Sequence, residues 1–169
     1  MDIAVLRLIS YGMYVVASFR QDRLNGQIAN TVFQVTAEPQ QLAVCLNCQN
    51  LTHELVADSR RFSVSILSQE TPLKFIGLFG FKCGRSVGKF SGVNYRVLAS
   101  GTPVILDHSL GWLDLEVVQS ITLGTHTLFV GRVIDSEMLA EGKPMTYDYY
   151  HQVKGGKTQV NAPTFNVRT

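Results

Sequence analysis

The tightest constraint on this chain is a period of two. Phe62-Ser63-Val64-Ser65-Ile66 alternates apolar with small polar residues, and Leu113, Leu115 and Val117 alternate with Asp114 and Glu116. Side chains that change face at every residue belong to half-buried strands. The stretch Thr125 to Val133, rich in Thr, Val and Phe, predicts a strand paired with the 113–117 segment through a turn near Gly124. Gly12 to Phe19, Gln27 to Val35 and Leu42 to Leu46 are further strand candidates, with Asp22-Arg23-Leu24-Asn25-Gly26 supplying a turn between the first two. Two helices interrupt them. One spans about His53 to Arg60, and the other starts at Thr71-Pro72, read as an N-cap followed by proline, and carries Leu73, Ile76 and Gly80 along one face. Many short strands with few helices favour a mainly β chain closed into a barrel over a βαβ sheet. Past residue 80 the pattern loosens into loops punctuated by Gly84, Gly88 and Gly92, and the polar tail from Lys154 onward wraps over the body or frays.

Composition removes several function classes. The 169 residues are 46% hydrophobic and 17% charged, so a packed core is available, and no linker divides the chain into more than one domain over 1–169. Fifteen Lys and Arg against thirteen Asp and Glu leave a net charge of +2, too even for nucleic-acid binding while leaving anionic small molecules open. No apolar run approaches the roughly 20 residues that cross a bilayer. Asp2 and Arg7 interrupt the N-terminal apolar stretch, which carries no signal-peptide cleavage pattern. The expectation is a cytoplasmic protein that engages no membrane.

Four segments could carry chemistry, and each admits a plainer reading. Asn25-Gly26-Gln27-Ile28-Ala29-Asn30-Thr31 puts small and amide side chains on a strand, where a flat ligand can approach the backbone; equally it is a hairpin arm facing water. Asn47 to His53 joins a strand to a helix start, where free N–H groups and the Thr52 hydroxyl seat an anion; equally Thr52 is an ordinary N-cap. Phe81-Lys82-Cys83-Gly84-Arg85-Ser86 offers an Arg to a phosphate; equally it is a solvated basic loop. His126, at the head of a strand, is placed to donate to a heteroatom or is structural. No nucleophile elbow, paired carboxylates or Gly-x-Gly-x-x-Gly fingerprint occurs. Cys45-x-x-Cys48 with only Cys83 elsewhere does not complete a metal set, so no metal is expected; a Cys-based metal or redox module would instead reveal itself by bound metal.

Taken in order, these segments resemble the flavin reductase-like family, with its FMN-binding split-barrel fold. Within it the likeness is to the flavin domain of high-molecular-weight rubredoxins and to NAD(P)H:flavin oxidoreductases. The residues that carry it are Ile9-Ser10-Tyr11-Gly12, Asn25 through Val35, Asn50-Leu51-Thr52-His53-Glu54, Phe75 through Phe81, Gly124 through Gly131, and Pro144-Met145-Thr146-Tyr147. The resemblance implies a homodimeric barrel that binds FMN noncovalently near the subunit interface. It places Asn25 and the run Gln27, Ile28, Ala29, Asn30 and Thr31 along the ring, mostly through backbone groups. It gives the ribityl chain and phosphate to Asn47, Leu51 and Thr52, with Phe81, Lys82, Cys83 and Arg85 from the third segment. His126 stands beside the flavin as the catalytic residue, and Tyr147 and Tyr150 pack near it.

What the resemblance implies in function is an FMN-dependent NAD(P)H:acceptor oxidoreductase, with NADH or NADPH as donor. Such a protein needs no nucleophile of its own, because the cofactor moves the hydride. The chain ends shortly after Ala162-Pro163-Thr164, where larger relatives continue into a rubredoxin domain. Electrons are therefore expected to leave through free reduced flavin or a separate acceptor such as a flavodiiron protein or rubredoxin. The alternative is a noncatalytic FMN-binding electron carrier reduced by a partner protein.

Overall fold

The computed structural model describes residues 2–165. A short 3-10 turn, Ile3–Leu8, opens the chain, with the Asp2 carboxylate accepting from the Ala4 N–H at 2.9 Å. The strands are β1 (Tyr14–Arg20), β2 (Arg23–Ala29), β3 (Val32–Ala37), β4 (Gln40–Asn47), β5 (Arg61–Leu67), β6 (Tyr95–Val97), β7 (Pro103–Ile105), β8 (Ser109–Leu123) and β9 (His126–Met138). The helices are α1 (Leu51–Ser59), α2 (Leu73–Phe81) and α3 (Tyr147–Gln152).

Seven strands form one antiparallel sheet in the order β2-β1-β5-β8-β9-β4-β3. A single buried cluster draws Ala29, Val16, Val64, Leu115, Phe129 and Val44 from six of these strands, and Val32 of β3 packs against it. One core touched by every strand means that the sheet curls around it. The curl does not close. β2 and β3 are the two ends of the sheet, joined through Asn30-Thr31 but not paired to each other, so the barrel is split, as the family resemblance implies and the strand pattern alone does not. At that corner the Val32 N–H donates to the Asn30 carbonyl two residues back at 3.1 Å, a reversal too tight to continue a ladder. The architecture is thus a mainly β split barrel with a few short helices.

Several boundaries differ from the sequence expectation. The strand predicted over Gln27–Val35 is two strands broken at Asn30-Thr31. The turn predicted over 22–26 falls instead at Gln21-Asp22, with Gln21 at φ 52°, so Asn25 and Gly26 lie inside β2 opposite Ser18 and Ala17. Helix α1 begins two residues early because Leu51 and Thr52 join Leu55 and Val56 in its buried stripe. At α2 the N-cap is Pro72, while the Thr71 hydroxyl turns back to donate to the Ser68 carbonyl. β5 is buried on both faces. Ser63 and Ser65 meet β7 instead of water, Ser63 Oγ donating to the Pro103 carbonyl and Ser65 Oγ accepting from the Ile105 N–H. β6, β7, α3 and the opening 3-10 turn carry too few residues to show a period.

Close packing fixes one glycine at the centre. A Cβ on Gly131 would stand 2.7 Å from the Phe62 ring and 2.9 Å from Leu115 Cβ, so β9 can lie over β8 only if position 131 has no side chain. Among the described residues no helix is long and apolar enough to cross a membrane.

Candidate functional site

The open end of the split barrel holds a cavity of about 220 Å³. Its first wall is β2, an edge strand whose outer backbone groups no other strand takes up. Asn25, Gln27, Ile28 and Ala29 line the cavity from that strand, and Asn30 from the corner that follows it. Asn47 at the end of β4, with Leu51 and Thr52 in the first turn of α1, forms the second wall. Phe81, Lys82 and Cys83 enter from the end of α2, and Tyr147 and Tyr150 from α3. Thirteen of the sixteen residues expected at the site therefore share one cavity.

The other three lie outside its lining, and each for a visible reason. Thr31 sits on the far side of the β2–β3 corner, its hydroxyl donating to Asn30 Oδ1. Arg85 is engaged elsewhere: its Nη1 donates to Glu54 Oε2 at 3.1 Å, and that guanidinium holds the exposed Glu54 carboxyl below the usual carboxylate range. His126 heads β9 opposite Asn47, with Nδ1 against Thr125 Oγ1 at 2.8 Å and Nε2 against the Asn161 carbonyl at 3.2 Å. It borders the cavity through those two lining residues, Asn47 and Asn161.

Gly26 does a different job from the one its segment suggested. A Cβ there would come within 3.2–3.3 Å of Val15, Ala17 and Phe79, so its bare backbone lets α2 settle onto β1 and β2. The amides on either side face the site. Asn25 Nδ2 donates to Thr52 Oγ1 at 2.8 Å, a buried bond that ties β2 to the start of α1. Gln27 Oε1 is buried without a partner. An unsatisfied amide oxygen costs about 1–3 kcal/mol, which an N–H donor brought by a ligand would offset.

Helix α1 is left open at its N-terminus. No side chain caps it, because Asn50 Oδ1 instead accepts from Asn161 Nδ2 at 3.2 Å. Its first-turn N–H groups have no intrahelical acceptor and carry the positive end of the helix dipole, so they suit an anion. Behind α1, His53 Nε2 meets Thr127 Oγ1 at 2.8 Å, and burial lowers the imidazole's pKa.

Sequence reasoning missed two components. One is the strap 154–165, whose residues from Lys157 to Pro163 form the outer cover. The polar tail does wrap over the body; residues 166–169 of that expectation lie outside the described residues. The Gly155-Gly156 turn sends the strap back, with Gly155 at φ 66° and Gly156 flat against the Tyr150 ring. The other is Lys89, whose buried ammonium donates to the Gly26 and Phe79 carbonyls at 3.0 and 3.1 Å. Both stretches read as polar, glycine-broken loop. Cys45 also lines the cavity, and burial raises its thiol pKa. Cys45, Cys48 and Cys83 are all free thiols, and no group of three or more His, Cys, Asp or Glu suited to a metal ion occurs among the described residues.

Comparisons with known proteins agree with the fold. Residues 6–156 match the model of the flavin reductase like domain. The chain is 48% identical over 167 residues to the high molecular weight rubredoxin of Moorella thermoacetica, covering 99% of this chain and 73% of that protein. It is 46% identical over 165 residues to the ferric-chelate reductase (NAD(P)H) of Archaeoglobus fulgidus, covering 98% of each. Among solved structures, the FMN-binding protein of Thermus thermophilus with bound p-hydroxybenzaldehyde superposes with a TM-score of 0.69 at 26% identity, covering 77% of this chain and 73% of that one.

Proposed function

We propose, from the premise that this chain belongs to the flavin reductase-like domain family, that its whole length acts as one FMN-dependent NAD(P)H:acceptor oxidoreductase. The observation that carries this is the pairing of two unmet needs in one cavity: the partnerless Gln27 Oε1 and the uncapped N-terminus of α1. FMN fits both, since its ring offers an N–H donor and its other end an anion. When bound it supplies the reversible two-electron chemistry that links a nicotinamide donor to an acceptor.

The chain's own residues then have separable tasks. Gln27 and the open edge of β2, with Ile28, Ala29 and Asn30, orient the ring. Asn25 fixes Thr52, and Thr52 with Leu51 presents the helix N–H groups to the phosphate. Asn47, Lys82 and Cys83 complete that end, while Phe81, Tyr147 and Tyr150 exclude water. His126, at the mouth, is the residue positioned to meet the reacting part of the ring or its donor. Thr31 supports the corner through Asn30, and Arg85 is held by Glu54 at the surface outside the cavity.

The protein works in the cytoplasm as a homodimer. Exposed apolar side chains on β3 (Phe33, Val35) and at the end of β8 (Val118, Ile121, Leu123) support a face for a second copy. The likeness to a high molecular weight rubredoxin supports a rubredoxin or flavodiiron protein as acceptor, beside free flavin.

Anaerobic titration of the FMN-loaded protein with NADH and then NADPH tests the reading. Loss of the oxidised-flavin absorbance with either donor is the expected result. Persistent absorbance with FMN bound would replace it with an electron carrier reduced by a protein partner.

A further inference from the structure

The cavity contains one buried cation, and it is not the one the basic loop advertises. Arg85 spends its guanidinium on Glu54 at the surface. Lys89 is 95% buried and lines the cavity. Its ammonium has three N–H donors, of which the Gly26 and Phe79 carbonyls take two. Neither acceptor carries a charge, and none of the ion pairs among the described residues includes Lys89.

We propose that Lys89, rather than Arg85, is the charge that meets the anionic group of the bound cofactor. The inference rests on the FMN reading above and assigns the phosphate end of that site. Two features put Lys89 at the same end of the cavity as the open helix. Lys82 and Cys83 line the same cavity from the loop before it, and Gly84 packs so closely on Asn25 that it carries no side chain there. Asn25 in turn holds Thr52 at the open end of α1, so the buried ammonium and the uncapped helix belong to one end of the cavity. A buried ammonium without a counter-charge is costly, and a bound phosphate supplies both the charge and the third acceptor.

The charged groups around it do not substitute for that anion. β2 brings Arg23, which donates to the Gly84 carbonyl, while Lys74 lies in the first turn of α2, away from the Phe79 carbonyl that Lys89 holds. The 82–88 loop brings Lys82, Cys83 and Arg85. From α1, Glu54 is held by Arg85 and Asp58 by Arg20, while His53 is turned toward Thr127. The consequence is a proton linkage. Burial lowers the Lys89 ammonium to about 8 in the free protein. Below that pH Lys89 is charged with or without ligand; above it, phosphate binding must draw a proton onto the amine, so FMN affinity falls as pH rises. A phosphate monoester has its second pKa near about 6 and stays a dianion throughout this range.

The test compares FMN with riboflavin, which lacks the phosphate, by quenching of flavin fluorescence between pH 7 and pH 9.5. The ratio of FMN to riboflavin affinity is expected to fall by up to about 30-fold across that range, with riboflavin affinity flat. Calorimetry at pH 8.5 in two buffers should show proton uptake with FMN and none with riboflavin. Lys89→Met should reduce the ratio at pH 7 by about tenfold to a hundredfold, and Arg85→Gln by less than about twofold. The preference should survive 0.5 M salt, which screens the exposed Arg85 far more than a buried charge. A pH-independent ratio, or one that collapses in Arg85→Gln but not Lys89→Met, overturns the assignment. Should Lys89→Met not fold, the pH series decides alone. Failure of the unsubstituted protein to bind FMN at all would sink the functional reading instead, a result distinct from a flat ratio.

Discussion

The two sides of the cavity are held by different forces. The barrel wall of β2, β4 and α1 continues directly into the core: Ala29, Val44, Leu46 and Val56 are buried in the same cluster as Phe62 and Phe129. The strap 154–165 on the other side contributes no residue to any of the buried apolar clusters, and Val160 is 65% exposed. It is held by single polar contacts, among them Asn30 Nδ2 to Thr164 Oγ1, Tyr150 OH to the Lys157 carbonyl and Asn161 Nδ2 to Asn50 Oδ1. Such bonds exchange for water at a net cost of about 0.5–1.5 kcal/mol each, whereas wall residues leave place only when the core opens. The wall therefore opens only with the core, whereas the strap can be displaced at the cost of a few polar contacts.

The largest effects are expected in the wall. Phe62→Ala removes a fully buried ring packed against Gly131 and should cost about 3–5 kcal/mol in denaturant unfolding. A loss under about 1 kcal/mol would mean that β9 collapses onto β5 and that the wall is not core-anchored. Next comes the polar tie between β2 and α1. Asn25→Ala leaves the buried Thr52 hydroxyl without its donor, for about 1–3 kcal/mol of stability and weaker FMN binding together.

The strap should respond in the opposite way. A Cβ on Gly156 would overlap the Tyr150 ring, so Gly156→Ala displaces the strap. Global unfolding should move by less than about 1 kcal/mol, while the Gly156 amide, bonded to the Tyr150 carbonyl, loses its hydrogen-exchange protection and FMN dissociates faster. Unchanged exchange at that amide would erase the distinction between wall and cover. His126 touches both sides, with its backbone in β9 and its ring on the strap's Asn161. His126→Ala should slow anaerobic flavin reduction by NAD(P)H more than it weakens FMN binding; reduction at the unsubstituted rate would deny it a catalytic role.

What was legible in the sequence follows the same division. Alternation exposed β5 and β8, and Gly124 marked the β8–β9 turn, because a strand's period is written in consecutive residues. The β2–β3 break stayed hidden because Ile28, Val32 and Val35 continue an apolar pattern straight through a reversal made by the backbone. The wall residues were readable from the family's ordered segments. Lys89 was not, because between Gly88 and Gly92 it looks like any loop lysine, and its burial is set by carbonyls of β2 and α2 remote in sequence. The Arg85–Glu54 pair was equally hidden, because Glu54 lies 31 residues away on α1 and has no signature beside it.

That surface pair supplies the smallest expected effect and the sharpest contrast with Lys89. Arg85 and Glu54 are both exposed, so water and salt screen their attraction and the ordering of two long side chains offsets much of it. Glu54 sits below its ordinary pKa because of Arg85, so whatever the pair contributes is present above the usual carboxylate range and is lost as pH falls through the lowered value. Glu54→Gln should leave the unfolding midpoint at pH 7 unchanged within error, and should flatten only the acid limb of the stability profile in low salt. A midpoint that drops clearly at pH 7, or an FMN affinity that falls with it, would show that Arg85 needs Glu54 to hold the 82–88 loop over the cavity. The loop would then belong with the rigid wall.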